Sequence, residues 1–175
     1  MHLDALLFGE EKMFRKMRRK NQELTEEETI AILKRNTSGT LALMGDDGYP
    51  YSVPVSYVYC SGKIIIHGAK TGHKADSIRR CEKVSFSVID QDRVIPEEYT
   101  TYFRSAIVFG KMRIVEDLDE IRRDIDILAL KYRPGHEEER REEIEKTLSA
   151  ICVMELHIEY LTGKQSIELT KNHAE

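Results

Sequence analysis

The segment from Gly39 to Gly68, "GTLALMGDDGYPYSVPVSYVYCSGKIIIHG", is the strongest constraint on the fold. It holds three apolar-rich runs separated by Gly-Asp-Asp-Gly and Cys-Ser-Gly-Lys, and so predicts a meander of antiparallel strands joined by tight turns. "KVSFSVID" and "YFRSAIVFGKMRIVE" add two strands around a polar loop near Pro96, and "ICVMELHIEYLTG" adds a sixth. Six alternating strands with little else to cover them predict a mainly β chain with added helices, its strands forming a closed or nearly closed antiparallel barrel.

Helices interrupt this pattern. In "LTEEETIAILKR", Thr25 and Glu28 have capping-box spacing, and Leu24, Ile30 and Leu33 supply one apolar side. That helix should stop near Asn36. In "DLDEIRRDIDILALKY", Leu118, Ile121, Ile125 and Leu128 recur at helical spacing, with Asp117 as a cap and Pro134-Gly135 as the break. "HEEERREEIEKTLSA" reads as a charged, solvated helix anchored by Ile144 and Leu148. The expected organisation is a basic N-terminal arm at 1–23, a barrel domain at 24–170 with a helical insertion at about 117–148, and a tail at 171–175.

At 175 residues and 41% hydrophobic, the chain can bury one substantial core. A net charge of -4 gives no general field for nucleic acid or an anionic membrane. The basic stretch from Lys12 to Lys20 carries Phe14 as its one aromatic, so it is expected to pack on the barrel or a partner, with Arg18 and Arg19 in local ion pairs. No apolar run approaches the roughly 20 residues of a membrane span. The start, "MHLDALLFGEEKMFRKMRRK", puts its apolar part before its basic part, the reverse of a secretory signal. Cys60, Cys81 and Cys152 form neither a disulfide framework nor a CxxC pair, and read as buried thiols of a cytoplasmic protein.

The chemistry concentrates in "IIIHGAKTGHKADSIRR", Ile64 to Arg80, where a buried strand hands over to a short helix expected from about Thr71. Arg79 and Arg80 suit the helix C-terminus, whereas Lys70, His73 and Lys74 crowd the end where the dipole disfavours cations. A phosphate there would reverse the sign, and Gly68 and Gly72 would let the backbone approach it closely. The alternative is a short exposed helix whose lysines face water. Zinc between His67 and His73 is disfavoured, because the ammonium neighbours repel a dication and the stretch does not complete a ligand set. A Walker-type loop is excluded by the missing Gly-Lys-Ser/Thr. Pro54, which cannot donate a ladder hydrogen bond, either shapes a sheet edge or marks where a flat polar ring meets the backbone.

In order, "MRRKNQELTEEE", "GTLALMGDDGYPYSVPVSYVY", "IIIHGAKTGHKADSIRR" and "TTYFRSAIVFGKMRIVED" resemble the nitroimidazole-resistance branch of the pyridoxamine 5'-phosphate oxidase-like split barrels. The resemblance runs from about Met17 to "LTGKQS". It implies a homodimer of six-stranded antiparallel split β-barrels with flavin mononucleotide (FMN) in a groove between subunits. By that resemblance Tyr51, Ser52, Val53, Pro54 and Val55 line the flavin ring, and His67, Gly68 and Ala69 continue the wall. His73 and Lys74 stand where the oxidases place a basic pair against the phosphate, with Lys70 beside them. Ser105 falls where a later strand reaches the cofactor, from the same or the other subunit.

Two departures limit the likeness. The pyridoxamine phosphate oxidases close with a tryptophan- and arginine-bearing segment that grips substrate, whereas this sequence has no tryptophan and reads "LTKNHAE" at its end. It also carries His73-Lys74 where they carry Arg-Lys. The activity implied is therefore an FMN-dependent oxidoreductase that reduces nitroaromatic or similar small molecules, and not a pyridoxamine phosphate oxidase. A nicotinamide donor would stack on the flavin, since no Rossmann GxGxxG is present. His67 is the candidate catalytic residue, as proton donor or substrate anchor, against the alternative that it only packs on the ring. The competing class is a non-catalytic flavin- or haem-binding split-barrel protein.

Overall fold

Apolar residues at every second position send one side chain inward and the next outward, and this alternation builds the sheet. The structure, a computed structural model, describes residues 14–170. The strands are β1 (Glu23–Leu24), β2 (Ser38–Met44), β3 (Pro50–Ser56), β4 (Val58–Cys60), β5 (Lys63–Ala69), β6 (Lys83–Ile95), β7 (Thr100–Ile114) and β8 (Ile151–Gln165). Their order is β3-β2-β6-β7-β8-β5-β4, antiparallel throughout, with β1 added beside β8. Leu41, Leu43, Phe86, Val88, Ala106, Val108, Met154 and Leu156 point inward from these strands and make the main core. The result is a mainly β antiparallel split barrel with helices packed outside it.

The expected six strands are eight because one run divides. β3 and β4 stand at opposite ends of the strand order, yet only Tyr57 separates them along the chain. The two edges of the sheet are thus joined covalently, which closes the barrel. Tyr57 is fully buried and its ring meets Phe86 edge-on at 4.9 Å. Its N–H is shared between the Thr37 carbonyl and the Tyr132 hydroxyl, and Lys131 donates to its carbonyl at 3.1 Å. Backbone groups that leave the ladder at the break therefore keep partners. The second extra strand, β1, is a two-residue pairing just before the first helix.

That helix, α1 (Glu26–Arg35), starts with the expected capping box of Thr25 and Glu28 and ends at Asn36. Its last turn is fastened to the bulge in β6, where Asp90 accepts from Arg35 and Asn36. The next helix, α2 (His73–Arg80), begins two residues later than expected, because Gly72 at its N-cap has φ 118°. β6 and β7 extend beyond the runs read from the sequence, which leaves a short turn at Pro96–Glu98. Phe14 stacks on Tyr160 at 4.9 Å, whereas Arg18 and Arg19 make no ion pair among the described residues. Cys152 is buried, but Cys60 and Cys81 are only partly so. A short helix, α5 (Ile167–Thr170), ends the described chain. Among the described residues no helix is long and apolar enough to cross a membrane.

α3 (Leu118–Tyr132), capped by Asp117, and α4 (Glu137–Thr147) cover the outer face of β4, β5 and β8. Ile121, Ile125, Leu128 and Ile144 form a second core there with Ile65 and Val153. Leu118, expected among the buried positions, is exposed because it lies at the first turn. With both faces covered, Ile64, Ile65 and Ile66 are all fully buried.

This cover also buries charge. Glu155 of β8 is fully buried and accepts from Lys63, Arg113 at 2.8 Å and the His157 ring at 3.1 Å. Asp124 of α3 is 1% exposed, and its Oδ2 accepts no hydrogen bond among the described residues. Burial first, and then its hydrogen bond and charge interaction with Glu155, together raise Asp124 to about 6. Burial opposes ionisation of Glu155 too, but hydrogen bonds from Lys63, Asp124 and Arg113 win and hold it low. Asp124 therefore carries the proton of the pair. A carboxyl that holds its proton more tightly when folded stabilises fully below its unfolded value of about 4 and loses that contribution as pH rises through about 6. The wild type should lose roughly 1.4 kcal/mol between pH 5 and pH 7.5 relative to Asp124→Asn, which keeps a donor toward Glu155 at every pH. Urea unfolding of both proteins at the two pH values checks this; parallel pH profiles would refute the shared proton.

Candidate functional site

The seam of the barrel follows from the strand lengths. β4 covers β5 only from Lys63 to Ile65, so Ile66 to Ala69 lack a ladder partner on that side among the described residues. β3 pairs with β2 alone, which leaves its other edge open. Two open backbone edges, Tyr51 to Val55 on β3 and Ile66 to Ala69 on β5, therefore border one gap. Pro54 lies on the edge strand, where its missing N–H costs no internal ladder bond. Along β3, the side chains of Tyr51, Val53 and Val55 pack against the main core while Ser52 and Pro54 are exposed.

The N-terminus of α2 lies at the end of β5. No side chain caps this helix, so the N–H groups of its first turn stay available. Gly68 opens space for Lys74: a methyl group at residue 68 would meet Lys74 Nζ at 2.9 Å. Burial lowers the Lys74 pKa, and neither Lys70 nor Lys74 has a carboxylate partner among the described residues. Beneath them, Cys152 pairs with Gly68 in register, and burial pushes its thiol pKa up. The helix terminus and two unpaired ammonium groups thus form an open corner suited to an anion.

His73 is held differently. Its ring stacks on Tyr51 with centroids 4.0 Å apart, and its Nε2 lies 3.5 Å from Asp46. Asp46 also binds Arg80 at 2.5 Å, which holds its carboxyl below the usual range. The Gly-Asp-Asp-Gly turn thereby latches both ends of α2. Sequence reasoning missed Asp46 and Arg80 because a Gly-Asp turn is fully accounted for by its conformation.

His67 projects from the outer face of β5, two residues beyond Ile65, where the cover of α3 and α4 gives way to a cleft of about 540 Å³. Its imidazole has no hydrogen-bond partner among the described residues. Crowding by protein lowers its pKa, with Lys74 adding to the effect, although the ring stays open to the cleft. Ala69 is exposed on the same face. Ser105 stands apart. It pairs with Lys164 on β8 whereas His67 pairs with Val153, and eleven residues along a strand span on the order of 35 Å. Within one chain Ser105 does not join this corner. Among the described residues no cluster of three or more His, Cys, Asp or Glu could hold a metal ion.

An antiparallel barrel open along one seam defines a split-barrel protein. The family profile described as pyridoxamine 5'-phosphate oxidase matches residues 25–165. The chain belongs to that family. No functionally curated protein matches it. Among solved structures it is similar to a candidate 5-nitroimidazole antibiotic resistance protein from Bacteroides thetaiotaomicron, at 19% identity and TM-score 0.70, over 82% of this chain and 86% of that one. A flavocytochrome from Azotobacter vinelandii matches at 18% identity and TM-score 0.76, over 87% of this chain and 72% of that one. A flavin adenine dinucleotide (FAD) and haem binding protein from Mycobacterium smegmatis matches at 22% identity and TM-score 0.72, over 89% and 80%. At these identities the likeness is one of fold.

An unpaired, partly buried ammonium costs stability until an anion arrives. Lys74→Met should therefore raise the melting temperature of the ligand-free protein by a few degrees. Calorimetry checks this, and an unchanged or lower midpoint would show that the ammonium is not under tension.

Proposed function

We propose that this protein binds FMN and uses it as an oxidoreductase on nitroaromatic or similar small molecules, in the manner of the nitroimidazole-resistance branch. The observation that carries the reading is the pair of unpaired cations, Lys70 and Lys74, beside the uncapped first turn of α2 at the end of the seam. A phosphate monoester fits that corner in charge and in hydrogen-bond donors. The open edges of β3 and β5 fit the polar rim of a flat ring, with backbone groups at Tyr51 to Val55 and His67 to Ala69 as partners. Tyr51 acts here as a positioning residue, since its stacking on His73 fixes the start of α2 against β3.

Bound flavin would supply the electron transfer, and the chain would set access and proton supply. His67 is the one titratable side chain of this set that is both unpartnered and open to a cleft, which supports a role as proton donor or substrate anchor. The absence of tryptophan argues against pyridoxamine phosphate oxidation.

A homodimer is part of the same proposal. Ile89, Val94, Ile107 and Phe109 are large apolar residues exposed on β6 and β7. Ser105 shares the outward face of β7 with Ile107 and Phe109, so a partner packed there would meet Ser105.

Purified protein reconstituted with flavin should bind FMN at least about 100-fold more tightly than riboflavin, which lacks the phosphate. Lys74→Gln should remove at least about tenfold of that preference. Equal affinity for the two flavins, or a purified protein with a Soret band and no flavin spectrum, would replace this reading.

A further inference from the structure

We propose that the cleft between α3, α4 and the outer face of β5 and β8 is a binding site for a neutral, largely apolar small molecule that hydrogen-bonds to His67. Calling that molecule the substrate rests on the flavin reading above; the binding itself does not.

The size and lining carry the first part. About 540 Å³ falls within the range of small-molecule sites, and Ile125, Leu128, Ile144 and Ile151 make the walls apolar. Ile125, Leu128 and Ile144 belong both to the core beneath the helices and to the wall of the cleft. Such a wall gains by meeting an apolar ligand in place of water.

The charge of the rim decides the ligand class. Arg133 is paired with Glu139 at 2.5 Å, and Arg140 with Asp126 at 2.5 Å. Both cations that line the cleft are thus already satisfied within the chain. Glu143 also lines the cleft and has no ion-pair partner among the described residues. An anion would meet Glu143 with no free arginine to oppose it, and would have to break an existing pair to gain one. This is the reverse of the corner at Lys70 and Lys74. The two sites, on opposite faces of the end of β5, therefore select opposite ligands: a phosphate on one and an uncharged molecule on the other.

His67 supplies the polar contact. As a neutral imidazole it offers one donor and one acceptor, and neither is used within the described chain. Its backbone belongs to the open edge of β5 and its side chain to the cleft. A molecule held there lies against the strand that would carry the flavin.

The test is a titration of the flavin-free protein with the neutral dye Nile red, followed by fluorescence, alongside the anionic dye anilinonaphthalene sulfonate. Saturable Nile red binding is expected, displaced by nitrobenzene and stronger than binding of the sulfonate. Ala150→Phe, at the mouth of the cleft, should weaken it by at least about tenfold while FMN affinity is kept. If that variant does not fold by circular dichroism, Ala129→Phe on α3 fills the same space. Tighter binding of the sulfonate or of haemin, or Nile red affinity unchanged in a folded filled variant, would overturn the proposal. The two readings fail separately: loss of FMN binding with the dye results intact removes the flavin reading alone, and the converse removes the cleft alone.

Discussion

The structure depends on Tyr57. The run from Pro50 to Cys60 belongs to both edges of one sheet, and the chain can leave one edge for the other only where its backbone groups find partners outside the ladder. Thr37, Lys131 and Tyr132 provide them, and the buried ring on Phe86 holds the crossing in place. Closure through a single residue explains why the barrel is split. β4 is too short to cover the far end of β5, and β3 continues past it, so a gap lined by unsatisfied backbone edges must remain. The feature that closes the fold also produces its candidate site.

The same end of β5 joins three environments. Ile66 and Gly68 face the main core and the corner of α2, Ile65 and His67 face the helical cover, and the backbone edge between them faces the seam. Burial on both faces makes the isoleucine run possible, and it also makes Asp124 costly to ionise beside the charged Glu155, so that Asp124 keeps its proton up to about pH 6. Where the helical cover ends, polar residues become tolerable, and His67 is the first of them. The chemical character of the site thus follows from where α3 and α4 stop.

Much of this was readable from local pattern. The alternation in "VSFSV", the turn clusters and the capping box at Thr25 and Glu28 act over a few residues, so they are visible in any window. The cationic cluster at Lys70 to Lys74 was visible for the same reason, as a local conflict with the helix dipole. His73 shows the limit of that reading. Its place in the sequence suggests an anion ligand, but Tyr51 and Asp46 claim its ring from twenty or more residues away. Leu118 shows it again: helical spacing marks a face without saying where along the helix the cover begins.

Local order thus settles which segments are strands, where helices begin and which turn gathers positive charge, because each follows from neighbours within a turn or a hairpin. Contacts across the fold settle the rest. The break at Tyr57 needs Lys131 and Tyr132, the proton at Asp124 needs Glu155, and the cleft beside His67 needs two helices that lie more than fifty residues further on. None of these has a signature in a short stretch. Each exists only once burial has removed water as the alternative partner.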